Sequence, residues 1–222
     1  AFWISNYRDP VDASPALCQE FTAGIDTWPY NQPGSGEEQE ALNAYLDRES
    51  VYENGNMMWS TDLNKATATG YVGQALFLKA GQLFHLPFSL LFRLGRLGNL
   101  LVYSLVIYFA IRKTPVGKAI MAFLALAPEP MMLAGVYSYD PTVTAFLWFS
   151  FACILRAILT EETVTWKEYV LMVGAFVWGC TIKAVYAPLI LVGLLIPKER
   201  FRNEREYLLM KGGFVVVCGL MT

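Results

Sequence analysis

The sequence predicts an all-α polytopic membrane protein, a bundle of short transmembrane helices preceded by a large extracytoplasmic loop that ends in an interfacial helix. Three observations carry this. Of the 222 residues, 55% are hydrophobic, 14% aromatic and only 16% charged, where an ordinary soluble domain carries about a quarter charged residues. The charge divides along the chain: Ala1–His85 holds 11 acids against 4 bases, and Leu86–Thr222 holds 8 acids against 13 bases. The apolar runs after Leu86 have no polar face recurring every turn, as the helix of a soluble protein would.

The elements follow in order. Residues 1–69 are rich in Asn, Asp, Gly and Pro and too long for a plain connector; they read as a partly ordered loop over the outer mouth. Residues 70–84 (GYVGQALFLKAGQLF) are apolar with one lysine and read as a helix lying in the membrane interface. Spanning helices are expected over about 86–111, 115–136, 141–159, 166–182, 185–197 and 208–222. Their uncharged cores are shorter than the roughly 20 residues a span needs, so the loops decide the matter. If residues 1–85 are outside, the inward ends carry Arg112, Lys113 and Lys118, then Arg156 and Lys167, then Lys198, Arg200, Arg202, Arg205 and Lys211. The outward ends carry Tyr137–Asp140 and a single base, Lys183. That alternation is the positive-inside pattern of a multi-pass protein. Trp166, Tyr169 and Tyr186 fall near the expected interfaces, where aromatic belts form.

The four cysteines, Cys18, Cys153, Cys180 and Cys218, form no CxxC or Cys/His cluster, and His85 is the one histidine. No cofactor is evident, a divalent ion is left open, and no basic tract points to nucleic acid. The chain begins at Ala1 without an initiator Met and stops inside an apolar run, so it reads as a stretch of a longer protein.

Ionisable residues in spanning helices are expensive, and each is a functional candidate. Arg93 and Arg96 stand three apart at the start of the first helix, on one face. They either snorkel to headgroups or grip a phosphate with their planar forks, and Asn99 continues that face. Glu129, between Pro128 and Pro130, lies where two prolines break the second helix, and pairing with Arg93 or Arg96 is expected. Asp140 before Pro141 reads as a helix N-cap. Lys183 is either a turn lysine reaching headgroups or a cation facing the same outer cavity.

Over Tyr71–Phe201 the order YVGQALFLKAGQLF, LGRLGNLLVYSLVIYFAIRKTPVGKA, Pro128 twelve before Asp140 in YSYDP, WKEYV and IKAVYAPLILVGLLIPKERF resembles the bacterial domain-of-unknown-function 2142 family, particularly its Gram-positive members. Glu129 replaces a usual apolar residue of that family, and Val136 a small polar one. The family is grouped with the GT-C type membrane glycosyltransferases. The resemblance implies a GT-C-like fold in the bacterial cytoplasmic (inner) membrane. It also implies transfer of a sugar from a polyprenyl-phosphate-linked donor to an envelope polysaccharide or lipid acceptor on the outer face. The donor phosphate would meet Arg93, Arg96 and Lys183, supported by Asn99, Asp140, Glu129 and Tyr186. The catalytic acid of such enzymes follows the first helix and would precede Ala1. Competing expectations are a transporter or flippase of a lipid-linked saccharide, and a non-catalytic subunit of an envelope-synthesis complex.

Overall fold

The computed structural model describes residues 69–221, and within them the chain is helical with no strand. The expected outer loop over residues 1–68 lies outside the described residues.

After a 3₁₀ turn at Thr69–Tyr71 comes α1, Val72–Leu83. It joins α2, Phe88–Lys113, through a turn in which His85 takes a positive φ of 50°. The two helices are antiparallel neighbours: Gly73 abuts Gly98 and Val102, whereas Gly81 abuts Leu91 and Leu94. A β-carbon on Gly98 would lie 2.8 Å from the Gly73 carbonyl oxygen, so small residues here set how closely the backbones approach. Thus α1 packs along the first half of α2.

The expected second span, 115–136, is two helices. Gly117, with φ of 73°, provides the left-handed residue that only glycine takes without strain, and α3 follows over Lys118–Ala125. The chain breaks at Leu126–Ala127 and resumes as α4, Pro128–Ala134. Pro128 has no N–H to donate and suits a helix start, so it opens a new helix instead of kinking an old one. Next come α5, Asp140–Leu159, and α6, Trp166–Cys180. A capping box opens α6: the Thr165 hydroxyl accepts from the Glu168 N–H, and the Glu168 carboxylate accepts from the Thr165 N–H, satisfying two orphan donors at once.

The expected helix 185–197 is a 3₁₀ helix over Ala184–Leu195, with Pro188 inside it. At about 2.0 Å per residue its 12 residues reach roughly 24 Å, whereas an α-helix of that length reaches about 18 Å. A short apolar run thereby covers nearly the depth that its α-helical neighbours cover. After a short turn at Lys198–Arg200, the chain ends in α7, Glu204–Met221.

Among the described residues two helices, at Leu90–Lys113 and Asp140–Leu159, are long and apolar enough to cross a bilayer. Two cores hold the bundle. The larger joins α5, α6, the 3₁₀ helix and α7 through Ile154, Met172, Phe176, Ile190, Met210 and Phe214. It also takes Tyr169, expected in an interfacial belt: the ring is buried against Phe214, and its hydroxyl donates to the Met210 carbonyl at 3.0 Å. The smaller core joins α2, α3, α4 and α5 through Tyr103, Ile107, Ala125, Ala134 and Ala145.

The bundle has two charged ends. At one, Lys113 pairs with Glu168 and Arg156 with Glu162. At the other, Asp140 pairs with Lys183. The 15 residues of α6 set these ends about 20 Å apart.

Candidate functional site

The site grows from the broken backbone between α4 and α5. A helix end leaves carbonyls without intrahelical partners, and α3 and α4 both end inside the bundle. One face of α2 answers them, with residues at spacings of three and four that lie above one another. The Tyr103 hydroxyl donates to the Ala125 carbonyl at 2.8 Å. The Asn99 amide donates to the carbonyls of Val136 and Ser138 at 2.9 and 3.2 Å, and Arg96 Nε donates to the Gly135 carbonyl at 2.5 Å. From α1, the Gln74 amide adds a second bond to the Ser138 carbonyl at 2.8 Å. Asn99 and Gln74 are buried, and Gln74 Oε1 has no hydrogen-bond partner among the described residues. Tyr137 lies along α2, donating to the Phe92 carbonyl at 2.9 Å.

This fixed segment delivers Asp140. The residue at the N-cap is Tyr139, and Asp140 stands one place later without capping the helix through its side chain, contrary to the capping expectation. Its carboxylate is taken instead: Oδ1 accepts from Lys183 Nζ, and Oδ2 accepts from the Ser138 hydroxyl at 3.1 Å. Both partners of the ion pair are about one-third exposed, so the pair stands at a mouth and not in the core. Lys183 also lies 5.4 Å from the centre of the Tyr139 ring, and Tyr71 meets Tyr139 edge-on at 5.9 Å. The hydrogen bond to Asp140 holds the Lys183 ammonium above its ordinary pKa, so it is a cation throughout the neutral range. The Lys183 carbonyl accepts from the Tyr186 N–H at 3.2 Å.

The sequence-predicted residues therefore divide. Asp140 and Lys183, 43 apart in the chain, meet directly. Arg96 and Asn99 reach the segment leading into Asp140, as carbonyl partners. Arg93 is exposed and makes no hydrogen bond or ion pair among the described residues. Glu129 meets neither arginine: the break before Pro128 places it, exposed, in the first turn of α4, where a helix N-terminus favours a negative charge. Gln74, Tyr103, Ser138 and Tyr139 are members that reading the sequence missed. Tyr103 was discoverable, since it continues the Arg96–Asn99 face by one more turn. Among the described residues no group of three or more His, Cys, Asp or Glu side chains is placed to hold a metal ion.

Described residues that are helical without a strand, with two helices of spanning length among them and polar side chains satisfying interrupted backbone between apolar helices, are of the helical membrane class. The chain belongs to the family described as "Predicted membrane protein (DUF2142)", whose model matches residues 30–222. No curated protein and no solved structure matches it.

Proposed function

We propose that the protein is a multi-pass protein of the bacterial cytoplasmic membrane, with residues 1–85 and the Asp140–Lys183 end outside. There it binds a polyprenyl-phosphate-linked sugar and transfers the sugar to an envelope polysaccharide or lipid acceptor. The observation that carries this reading is the Asp140–Lys183 pair, about one-third exposed, at the end of the bundle whose loops are otherwise poor in bases. A lysine held there by one carboxylate is ready to exchange that partner for a lipid phosphate, and Tyr139 and Tyr186 flank it. Glycosyl transfer is supported by the resemblance of Tyr71–Phe201 to the family grouped with GT-C enzymes. In such a transfer Lys183 would stabilise the charge developing on the leaving phosphate. Asp140, engaged with Lys183, keeps that cation in place, and the base that takes the acceptor's proton is assigned to none of the described residues.

The interrupted helices α3 and α4 favour a second reading, a transporter of the same lipid-linked saccharide. Broken helices around a binding site are characteristic of transporters, and the phosphate contact would be the same.

The test is a donor-binding measurement on Lys183→Met, Lys183→Arg and the double variant Lys183→Met/Asp140→Asn. Loss of a charge-assisted contact of roughly 1.5–3 kcal/mol predicts a ten- to hundredfold weaker affinity for polyprenyl phosphate in Lys183→Met. Lys183→Arg should retain binding. The double variant removes the unpaired acid, so a purely structural pair would recover binding in it. Parent-like affinity in the double variant would remove Lys183 from the donor site.

A further inference from the structure

The hairpin of α1 and α2 carries an excess of positive charge. Residues 69–128 hold the bases Lys79, Arg93, Arg96, Arg112, Lys113 and Lys118 and no acid. The first three lie toward the end of the hairpin opposite Lys113, where the positive-inside pattern gives no reason for a base. Their heights agree. Gly73 abuts Gly98 and Val102, and Gly81 abuts Leu91 and Leu94, which sets Lys79 level with the Arg93–Arg96 stretch. That stretch is about 4.5 Å long, so the three cations form one belt.

Lys79 and Arg93 are exposed and make no hydrogen bond or ion pair among the described residues. Lys79 stands two before Gly81 and Arg93 two after Leu91, residues through which the helices touch. Two residues turn a helix by about 200°, so each cation faces away from the partner helix, one on either side of the hairpin. Arg96 is exposed as well, but its Nε is committed to the Gly135 carbonyl.

Depth decides what such a belt meets. From residue 93 to residue 112, α2 rises about 28 Å, close to the roughly 30 Å of a hydrocarbon core. With Arg112 and Lys113 in one headgroup layer, the belt reaches the other. Beyond Lys79, α1 continues only to Leu83, about 6 Å, which is close to the depth of a headgroup layer. The exposed Leu83 and Phe84 thus end among headgroups. Arg93 also stands about 9 Å outward of Asn99 along α2, and Asn99 holds the segment leading into Asp140. The belt is therefore distinct from the Asp140–Lys183 pair.

We infer that the α1–α2 hairpin is a recognition surface for anionic phospholipids, with Lys79 and Arg93 each binding the phosphate of a separate headgroup in the leaflet opposite Arg112 and Lys113. With no acid beside them, the two cations favour a lipid of net negative charge over a zwitterionic one. The inference goes beyond the donor reading of Lys183 and does not depend on which side of the membrane the hairpin faces.

The test places the full protein in phosphatidylcholine vesicles holding a trace of phosphatidylglycerol or phosphatidylcholine with a photoreactive group in its head, and maps the cross-linked residues. Between residues 79 and 96 the parent should be labelled about fivefold more by phosphatidylglycerol, and 1 M salt should bring the two lipids together. Lys79→Gln should abolish the preference on α1 and keep it on α2. Arg93→Gln should do the reverse, so each variant controls for the folding of the other half. Arg93→Lys should retain both, and Lys183→Met should change neither. Equal labelling of the parent hairpin by the two lipids, or a preference that survives in Lys79→Gln/Arg93→Gln, overturns the assignment. Loss of both preferences in Lys183→Met overturns it too, since the belt would then depend on the ion pair.

Discussion

Replacing Asn99 by leucine tests the scaffold on which the ion pair is built. The two side chains are close in size, so the packing of α2 is nearly kept and the loss is one of hydrogen bonds. Asn99 is 2% exposed, so no water replaces its amide. The Val136 carbonyl loses its 2.9 Å bond to Asn99 but keeps the Ser138 N–H at 3.0 Å, so the cost is that of one buried bond, about 0.5–1.5 kcal/mol. The Ser138 carbonyl keeps the Gln74 amide at 2.8 Å, so its loss is the smaller increment of one shared bond, about 0.5–1 kcal/mol. The contact to Leu133 at 3.4 Å is too long to count for much. The sum predicts a destabilisation of about 1–2 kcal/mol, measured as a shift in the unfolding equilibrium in detergent micelles. Arg93→Ala is the control, since an exposed residue without such bonds should change stability by less than about 0.5 kcal/mol. If Asn99→Leu unfolds with the parent, the α2 face does not hold the broken helix, and the account of Arg96 and Tyr103 fails with it.

Two more outcomes follow from the same geometry and from the charge pattern. Arg96→Lys should lose the fixed Nε contact to the Gly135 carbonyl and lower stability by about 1 kcal/mol, while donor affinity stays within about twofold; a tenfold loss of affinity with unchanged stability would return Arg96 to the phosphate. A cysteine at Asn54 should react with a membrane-impermeant thiol reagent in intact cells and one at Asn203 should not, and the reverse labelling would invert the proposed orientation.

What the sequence made legible was set by the kind of physics involved. Long apolar stretches report directly on helices, and the expected 86–111 and 141–159 lie close to Phe88–Lys113 and Asp140–Leu159. Hydropathy cannot distinguish one helix type from another, so Ala184–Leu195 gave no sign of three residues per turn. Prolines 128 and 130 announced a break but not its form. For the site, topology placed Lys183 and Asp140 at one end of the bundle because both follow from counting crossings. It also placed Arg93, Arg96 and Glu129 near that end, but counting crossings says nothing of which group a side chain chooses. A guanidinium can meet a carboxylate or a carbonyl, and once α4 ends at Gly135 the nearer need is the carbonyl. Gln74 went unnoticed because one amide in an apolar helix looks unremarkable until a broken backbone lies opposite it.

The interruptions of this bundle gather where the candidate site lies. The chain leaves helical geometry between α4 and α5 and again between α6 and the 3₁₀ helix, and those two gaps carry Ser138, Tyr139 and Lys183. Regular helices would have satisfied their own backbone and pointed no polar group toward this end. Interrupting them creates carbonyls that must be answered in an apolar setting, and α1 and α2 answer with Gln74, Arg96 and Asn99. The cost of the irregular backbone is thereby met by side chains that have no need to touch a ligand, which leaves Asp140 and Lys183 bound mainly to each other and partly exposed. Stability and ligand binding should consequently separate by residue: changes on the α2 face lower the unfolding free energy first, and changes at Lys183 lower affinity without it.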